Sequence, residues 1–105
     1  MPYVMTHCWY PTHIGDEVAK KYLEVMQKYP PDESIAKPVI PAAVTATKEG
    51  IEVLSVDEAE KSKIGDALER SVVFMTEFRS IPSFNYEIKT WSMVEEALAR
   101  IGLRG

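Results

Sequence analysis

Residues 6–13, Thr-His-Cys-Trp-Tyr-Pro-Thr-His, hold both histidines of the chain, its only cysteine and one of its two tryptophans. A histidine can take or release a proton near neutral pH, and imidazole and thiolate are ligand types for zinc and copper. A metal site is nevertheless not expected. Neighbouring strand residues point to opposite faces, so His7 and Cys8 cannot easily share an ion, and no second cysteine or His-x-x-x-His element completes a set. Cys8 reads as a small buried hydrophobe, and His13 as a surface residue or the neighbour of a helix cap. No cofactor is expected, because the chain has no glycine-rich phosphate loop, no Gly-x-Ser-x-Gly elbow and no dinucleotide fingerprint.

The elements that must position these groups follow from periodicity. Residues 2–10 alternate Tyr3, Met5, His7 and Trp9 against Val4, Thr6, Cys8 and Tyr10, which predicts a strand that Pro11 ends. Residues 12–29 place Ile14, Val18, Tyr22, Val25 and Tyr29 at steps of three and four, widened by Leu23 and Met26, opposite a charged face. Pro30-Pro31 stop that helix. Two strands at about 38–46 and 51–57, joined by Thr-Lys-Glu-Gly, read as a hairpin, with Pro41 marking a sheet edge or bulge. A second helix is expected over 58–79, weakened at Gly65. Ile-Pro-Ser then turns the chain into a strand over 84–91. A short helix follows, with Ser92 and Glu95 at capping-box spacing and Gly102 as a natural stop.

The predicted fold class is α+β: one domain over residues 1–105, in a ferredoxin-like β-α-β-β-α-β order with a short C-terminal helix and a four-stranded antiparallel sheet. In that topology the first and last strands are antiparallel neighbours. Matching their centres sets His7 opposite Glu87, Trp9 near Asn85, Met5 near Lys89 and Tyr3 near Trp91. Phe84, Tyr86 and Ile88, with Val4, Thr6 and Cys8, then pack beneath the helices. The other face carries a mixed aromatic and polar surface of the kind that meets a ligand, a partner or another copy.

On that face His7 and Glu87 are the candidate catalytic residues. A carboxylate accepting from one imidazole nitrogen fixes the tautomer and makes the other nitrogen a better base, able to remove a proton next to a carbonyl. Tyr3, Met5, Trp9, Asn85, Lys89 and Trp91 are the candidate ligand-binding residues, the aromatics stacking on a flat ring and Lys89 steadying an anion. The structural alternative stands beside this reading: His7 as a hydrogen-bonded interface residue and Glu87–Lys89 as a solvated pair.

The element order, a length near 100 residues and the mixed aromatic-polar open face resemble the dimeric α/β-barrel superfamily. The resemblance spans residues 2–91. It implies two protomers that bring their sheets together as a barrel, and often a small organic ligand held in each protomer between sheet and helices. Members include polyketide cyclases, quinol-forming monooxygenases, haem-degrading enzymes and muconolactone isomerase, so the fold does not select a reaction.

Composition narrows the classes further. A net charge of −4 lacks the basic stripe that phosphate binding needs, so nucleic acid is not an expected partner. No run approaches the roughly 18 apolar residues of a membrane span. One cysteine excludes an intrachain disulfide framework, and a cytoplasmic location is expected. The expected partners are a second copy of the chain, as a homodimer or higher oligomer, and a small aromatic or carbonyl-containing ligand. Two function classes result: a ligand-binding barrel with cofactor-independent acid–base chemistry, or an oligomerising module with no small-molecule chemistry.

Overall fold

The computed structural model describes residues 1–103. Its elements run β1 (Tyr3–Tyr10), α1 (Gly15–Lys28), β2 (Lys37–Thr47), β3 (Gly50–Glu58), α2 (Ile64–Thr76), β4 (Asn85–Trp91) and α3 (Val94–Arg100). Single 3-10 turns at Thr12–Ile14 and Lys61–Lys63 lead into α1 and α2. The chain is thus α+β, with three α-helices and a four-stranded antiparallel sheet in the order β2-β3-β1-β4. No helix among the described residues is long and apolar enough to cross a membrane.

The hairpin between β2 and β3 closes tightly. Thr47 pairs with Gly50, so Lys48 and Glu49 alone form the loop. The Glu49 amide donates to Thr47 Oγ1 at 3.1 Å, and Thr47 Oγ1 donates to the Gly50 carbonyl at 3.2 Å. β2 is an edge strand, and its pairing with β3 shifts register between Pro38 and Ile40 and again between Ile40 and Ala43. Pro41 lies in the second irregularity. It has no amide hydrogen for a ladder, which is why the irregularity falls where the sequence places it.

Two elements differ from their sequence expectation. The helix expected over 58–79 occupies only Ile64–Thr76, because Glu58 still pairs with Tyr3 in the sheet and Ala59 is buried immediately after it. Beyond Thr76 the chain continues as tight turns that drop Phe78 and Ile81 into the core. The cap of α3 also sits one residue later than its spacing suggests. The Met93 amide donates to Glu96 Oε1 at 3.2 Å, while Ser92 Oγ accepts from Arg100. Glu96 is held there doubly, because the N-terminal ammonium of Met1 lies 3.5 Å from the same oxygen.

Strand alternation divides the sheet into two faces. Val4 and Cys8 on β1 are buried beneath the helices, as are Val18 and Val25 on α1 and Ala67 and Met75 on α2. The core falls into two groups. One holds Cys8, Val18, Val25, Met75, Phe78 and Ile81; the other holds Val4, Ala59 and Ala67; Ile88 packs against both. The aromatic group is extended by stacking of Phe78 on Phe84, with ring centroids 5.0 Å apart, and of Phe84 on Tyr10 at 5.9 Å. Such pairs contribute about 0.5–1.5 kcal/mol beyond the area they bury.

Gly65, in the first turn of α2, is exposed, and a methyl group added there would meet nothing within 4 Å. Gly65→Ala is therefore expected to stabilise the protein by about 0.4–1 kcal/mol by reducing the freedom of the unfolded chain. Chemical denaturation would register this as a higher midpoint at constant slope.

Candidate functional site

The β1–β4 register pairs Tyr3 with Trp91, Met5 with Lys89, His7 with Glu87 and Trp9 with Asn85. All eight expected site residues therefore share one face of the sheet, the face turned away from α1 and α2. Their side chains do not all meet. His7 Nε2 lies 3.3 Å from Glu52 Oε2 on β3, and the His7 ring sits 4.1 Å from that of Trp9, tilted by 38°. Glu87 instead holds Lys89 of its own strand at 3.3 Å, and the Lys89 ammonium lies 5.9 Å above the Trp91 ring. The carboxylate that orients His7 thus comes from β3. Pairing of the first and last strands alone does not reveal it, since Glu52 enters only when β3 is laid along the other side of β1.

β3 completes this open face with Glu52, Leu54, Val56 and Glu58. Tyr3 lies beside Glu58; loss of solvent and then that carboxylate raise the Tyr3 phenol above its usual value. Trp91 remains 51% exposed at the rim. The surface is broad and mixed in character.

A concave feature lies on the other side of the sheet. A cavity of about 350 Å³ opens between the sheet and the helices, and none of the eight expected residues lines it. This size falls within the range of about 300–1,000 Å³ typical of small-molecule sites. It exists because α2 packs closely on β1 and β4 whereas α1 approaches the strands less closely. The side chains left facing one another there are small, among them Ala19, Ala36, Ala42, Ser55 and Ser71.

Strand and helix direction make the cavity two-ended. Along β3 the helix-facing residues include Val53, Ser55 and Asp57, and along α2 the lining runs from Ala67 through Arg70 and Ser71 to Phe74 and Met75, with Phe78 just beyond the helix. Tyr10, Tyr22, Phe74, Phe78 and Phe84 gather at one end; Asp57, Arg70, Ser71 and Asp32 gather at the other. Cys8 lines the apolar part, where burial pushes its thiol up to about 11, so it stays protonated near neutral pH. The expectation of a small buried hydrophobe matches that environment.

The three charged groups at the polar end play different parts. Arg70 donates through Nη2 to the carbonyls of Tyr29, at 3.3 Å, and of Pro30, tying α2 to the chain that leaves α1. Asp32 accepts from the Ser34 amide at 3.0 Å and from its hydroxyl at 2.5 Å; these two bonds hold its carboxyl below the usual range. Asp57 has neither kind of partner. Burial raises its carboxyl above the usual value, the Arg70 charge opposes the rise, and no protein donor bonds it among the described residues. Among the described residues no three His, Cys, Asp or Glu side chains are grouped to hold a metal ion.

Asp57 and Ser55 left a signal in the sequence. In Ile51-Glu52-Val53-Leu54-Ser55-Val56-Asp57 one alternating set starts apolar and ends Ser55, Asp57, and this set pairs with the buried side of β1. A carboxylate on the helix-facing register of an antiparallel strand is the pattern that points there. The open space beneath α1 leaves no such trace.

Comparison with known proteins bears on the fold alone. No family model and no curated protein matches the chain. Among solved structures, the de novo designed protein Foldit4 superimposes with a TM-score of 0.54 at 13% identity, covering 88% of this chain and 97% of its own. The uncharacterized protein TM1266 from Thermotoga maritima gives a TM-score of 0.48 at 9% identity, over 87% of this chain and 96% of that one. PelD 158-CT from Pseudomonas aeruginosa PAO1 gives 0.47 at 12% identity, over 99% of this chain and 39% of that one. A small antiparallel α+β sheet with a designed protein as its neighbour fits a ferredoxin-like fold, and a likeness to a design carries architecture without a function.

Proposed function

We propose that this chain is a small-ligand-binding protein of the dimeric α/β-barrel type, with the ligand held between sheet and helices and the open sheet face paired with a second copy. The cavity of about 350 Å³, aromatic at one end and polar at the other, is the observation that carries the reading. An apolar hollow with a few convergent polar groups is the usual form of a site for a small organic molecule. The strand order β2-β3-β1-β4 with both crossover helices on one face supports the ferredoxin-like protomer.

The protomer's dimensions support the second copy. Its radius of gyration is 15.4 Å, with extents of 49 × 31 × 19 Å, against about 13 Å for a compact domain of this length. Its accessible surface of 7131 Å² exceeds the roughly 5,900 Å² expected of a compact monomer of this mass. The excess is on the order of 1,200 Å², comparable to the ~800 Å² that each partner buries in a standard interface.

The ligand reading is tested by thermal unfolding against a panel of neutral bicyclic aromatics. A ligand at about ten times its Kd contributes about 1.4 kcal/mol, a rise of roughly 6–11 °C for a domain of this size. Ser71→Phe, which fills the cavity from α2, is expected to abolish that rise, and His7→Ala is expected to keep it. The opposite pattern, with binding lost in His7→Ala and retained in Ser71→Phe, would move the site to the open face and overturn the proposal.

A further inference from the structure

The cavity also specifies what its ligand must offer. This inference rests on the ligand-site reading above. We propose that Asp57 is the polar anchor of the site, and that the ligand is a neutral hydroxylated aromatic, a phenol or ring enol. Its O–H donates to the Asp57 carboxylate while its ring extends toward Tyr22 and Phe74.

The charged groups at the polar end differ in what they have left to give. Asp32 is satisfied by Ser34, and Arg70 spends Nη2 on the carbonyls of Tyr29 and Pro30. Of these three charged groups, Asp57 is the one whose carboxylate lines the cavity without a protein donor among the described residues. Its oxygens still reach solvent, so a ligand donor entering the cavity takes the place of water on a partly buried carboxylate.

The charge of the ligand follows from the neighbours. An anionic ligand would meet two carboxylates, Asp57 and Asp32, against the single charge of Arg70. A cationic ligand would leave water for a cavity of mostly apolar walls, beside a guanidinium that already acts on both carboxylates. A neutral donor avoids both costs. The rest of the molecule must be flat and apolar to suit the aromatic wall, where the Tyr22 and Phe74 rings lie 6.2 Å apart and Phe74 and Phe78 lie 6.1 Å apart. The hydroxyl and the ring are thereby assigned to opposite ends of one small molecule.

Four probes of one ring system separate the possibilities: 2-naphthol, 2-methoxynaphthalene, 2-naphthoate and 2-naphthylmethylammonium, titrated calorimetrically into the full chain. The native protein is expected to bind 2-naphthol about 10- to 100-fold more tightly than its methyl ether, the value of a hydrogen bond to a charged group. It should also bind 2-naphthol more tightly than either ion. Asp57→Ala is expected to equalise 2-naphthol and the ether while keeping the ether's affinity within about threefold of native, which shows that the variant is folded and its cavity intact. Equal binding of naphthol and ether by the native chain, or a preference that survives Asp57→Ala, would overturn the anchor. Tighter binding of either ion would overturn the ligand class. If none of the four binds the native chain, the ligand-site reading itself fails, an outcome distinct from the other two.

Discussion

Gly50→Ala is expected to cost about 2–4 kcal/mol of stability, with the melting temperature falling by more than about 8 °C. Gly50 opens β3 with a φ of +137°, a backbone conformation that L side chains rarely adopt. A Cβ added there would lie 2.5 Å from the Tyr10 carbonyl oxygen and 3.4 Å from Pro11 Cα. Both obstacles are backbone, so relief requires the hairpin to move away from the end of β1, where Tyr10 pairs with Ile51. That displacement would carry Val44 and Val53, which form part of the cavity wall, and a weaker ligand response should accompany the lost stability. The same change at Gly65 has the opposite expected sign, because there the added methyl meets nothing. Denaturation of the two variants side by side checks the argument. A Gly50→Ala protein within 0.5 kcal/mol of its parent would show that the corner yields at little cost.

Much of this architecture was legible in the sequence because it rests on local periods. The β1–β4 register follows from centring two strands whose alternation is fixed, since a slip of one residue would turn Val4 and Cys8 out to solvent. The amphipathic stripe of α1 and the prolines after it define that helix almost completely. What the pattern could not give is the distance between layers. Val18, Tyr22 and Met26 on α1 read as ordinary core positions, and nothing in their spacing distinguishes a helix packed against the sheet from one held above a cavity. That distinction is made by the small side chains facing them from other elements and by Arg70 reaching from α2 to the carbonyls of Tyr29 and Pro30. The aromatic open face, conspicuous for His7, Trp9 and Trp91, holds the eight expected site residues. The cavity lies on the other side of the sheet, signalled in the sequence by Ser55 and Asp57 on the helix-facing register of β3.

Placing a charge at Trp9 is expected to raise the dissociation constant of the proposed dimer by at least about 100-fold, equivalent to about 2.7 kcal/mol. Trp9 lies on the open face toward the end of β1, its ring 4.1 Å from that of His7, and is directly opposite Glu52 on β3. Tryptophan is among the residue types most often found to contribute about 2 kcal/mol or more to binding at an interface. In a two-fold assembly every substitution acts twice. Trp9→Glu would in addition set a third carboxylate among Glu52 and Glu87, and like charges directly opposite weaken a strand pair within the protomer itself. Trp9→Lys separates these effects. Its ammonium faces Glu52 favourably in the lone protomer, so the fold should hold, but it must be desolvated when a second sheet approaches. Sedimentation at low micromolar concentration is expected to show the native chain at twice 11.9 kDa. Both variants should shift toward the monomer, Trp9→Lys with a single cooperative thermal transition that no longer depends on protein concentration. A native chain that sediments as a compact monomer would sink the barrel assembly. If Trp9→Lys stays dimeric with undiminished affinity, the two sheets meet elsewhere than across Trp9, and the excess surface of the protomer must be covered by the β2 edge or by α3 instead.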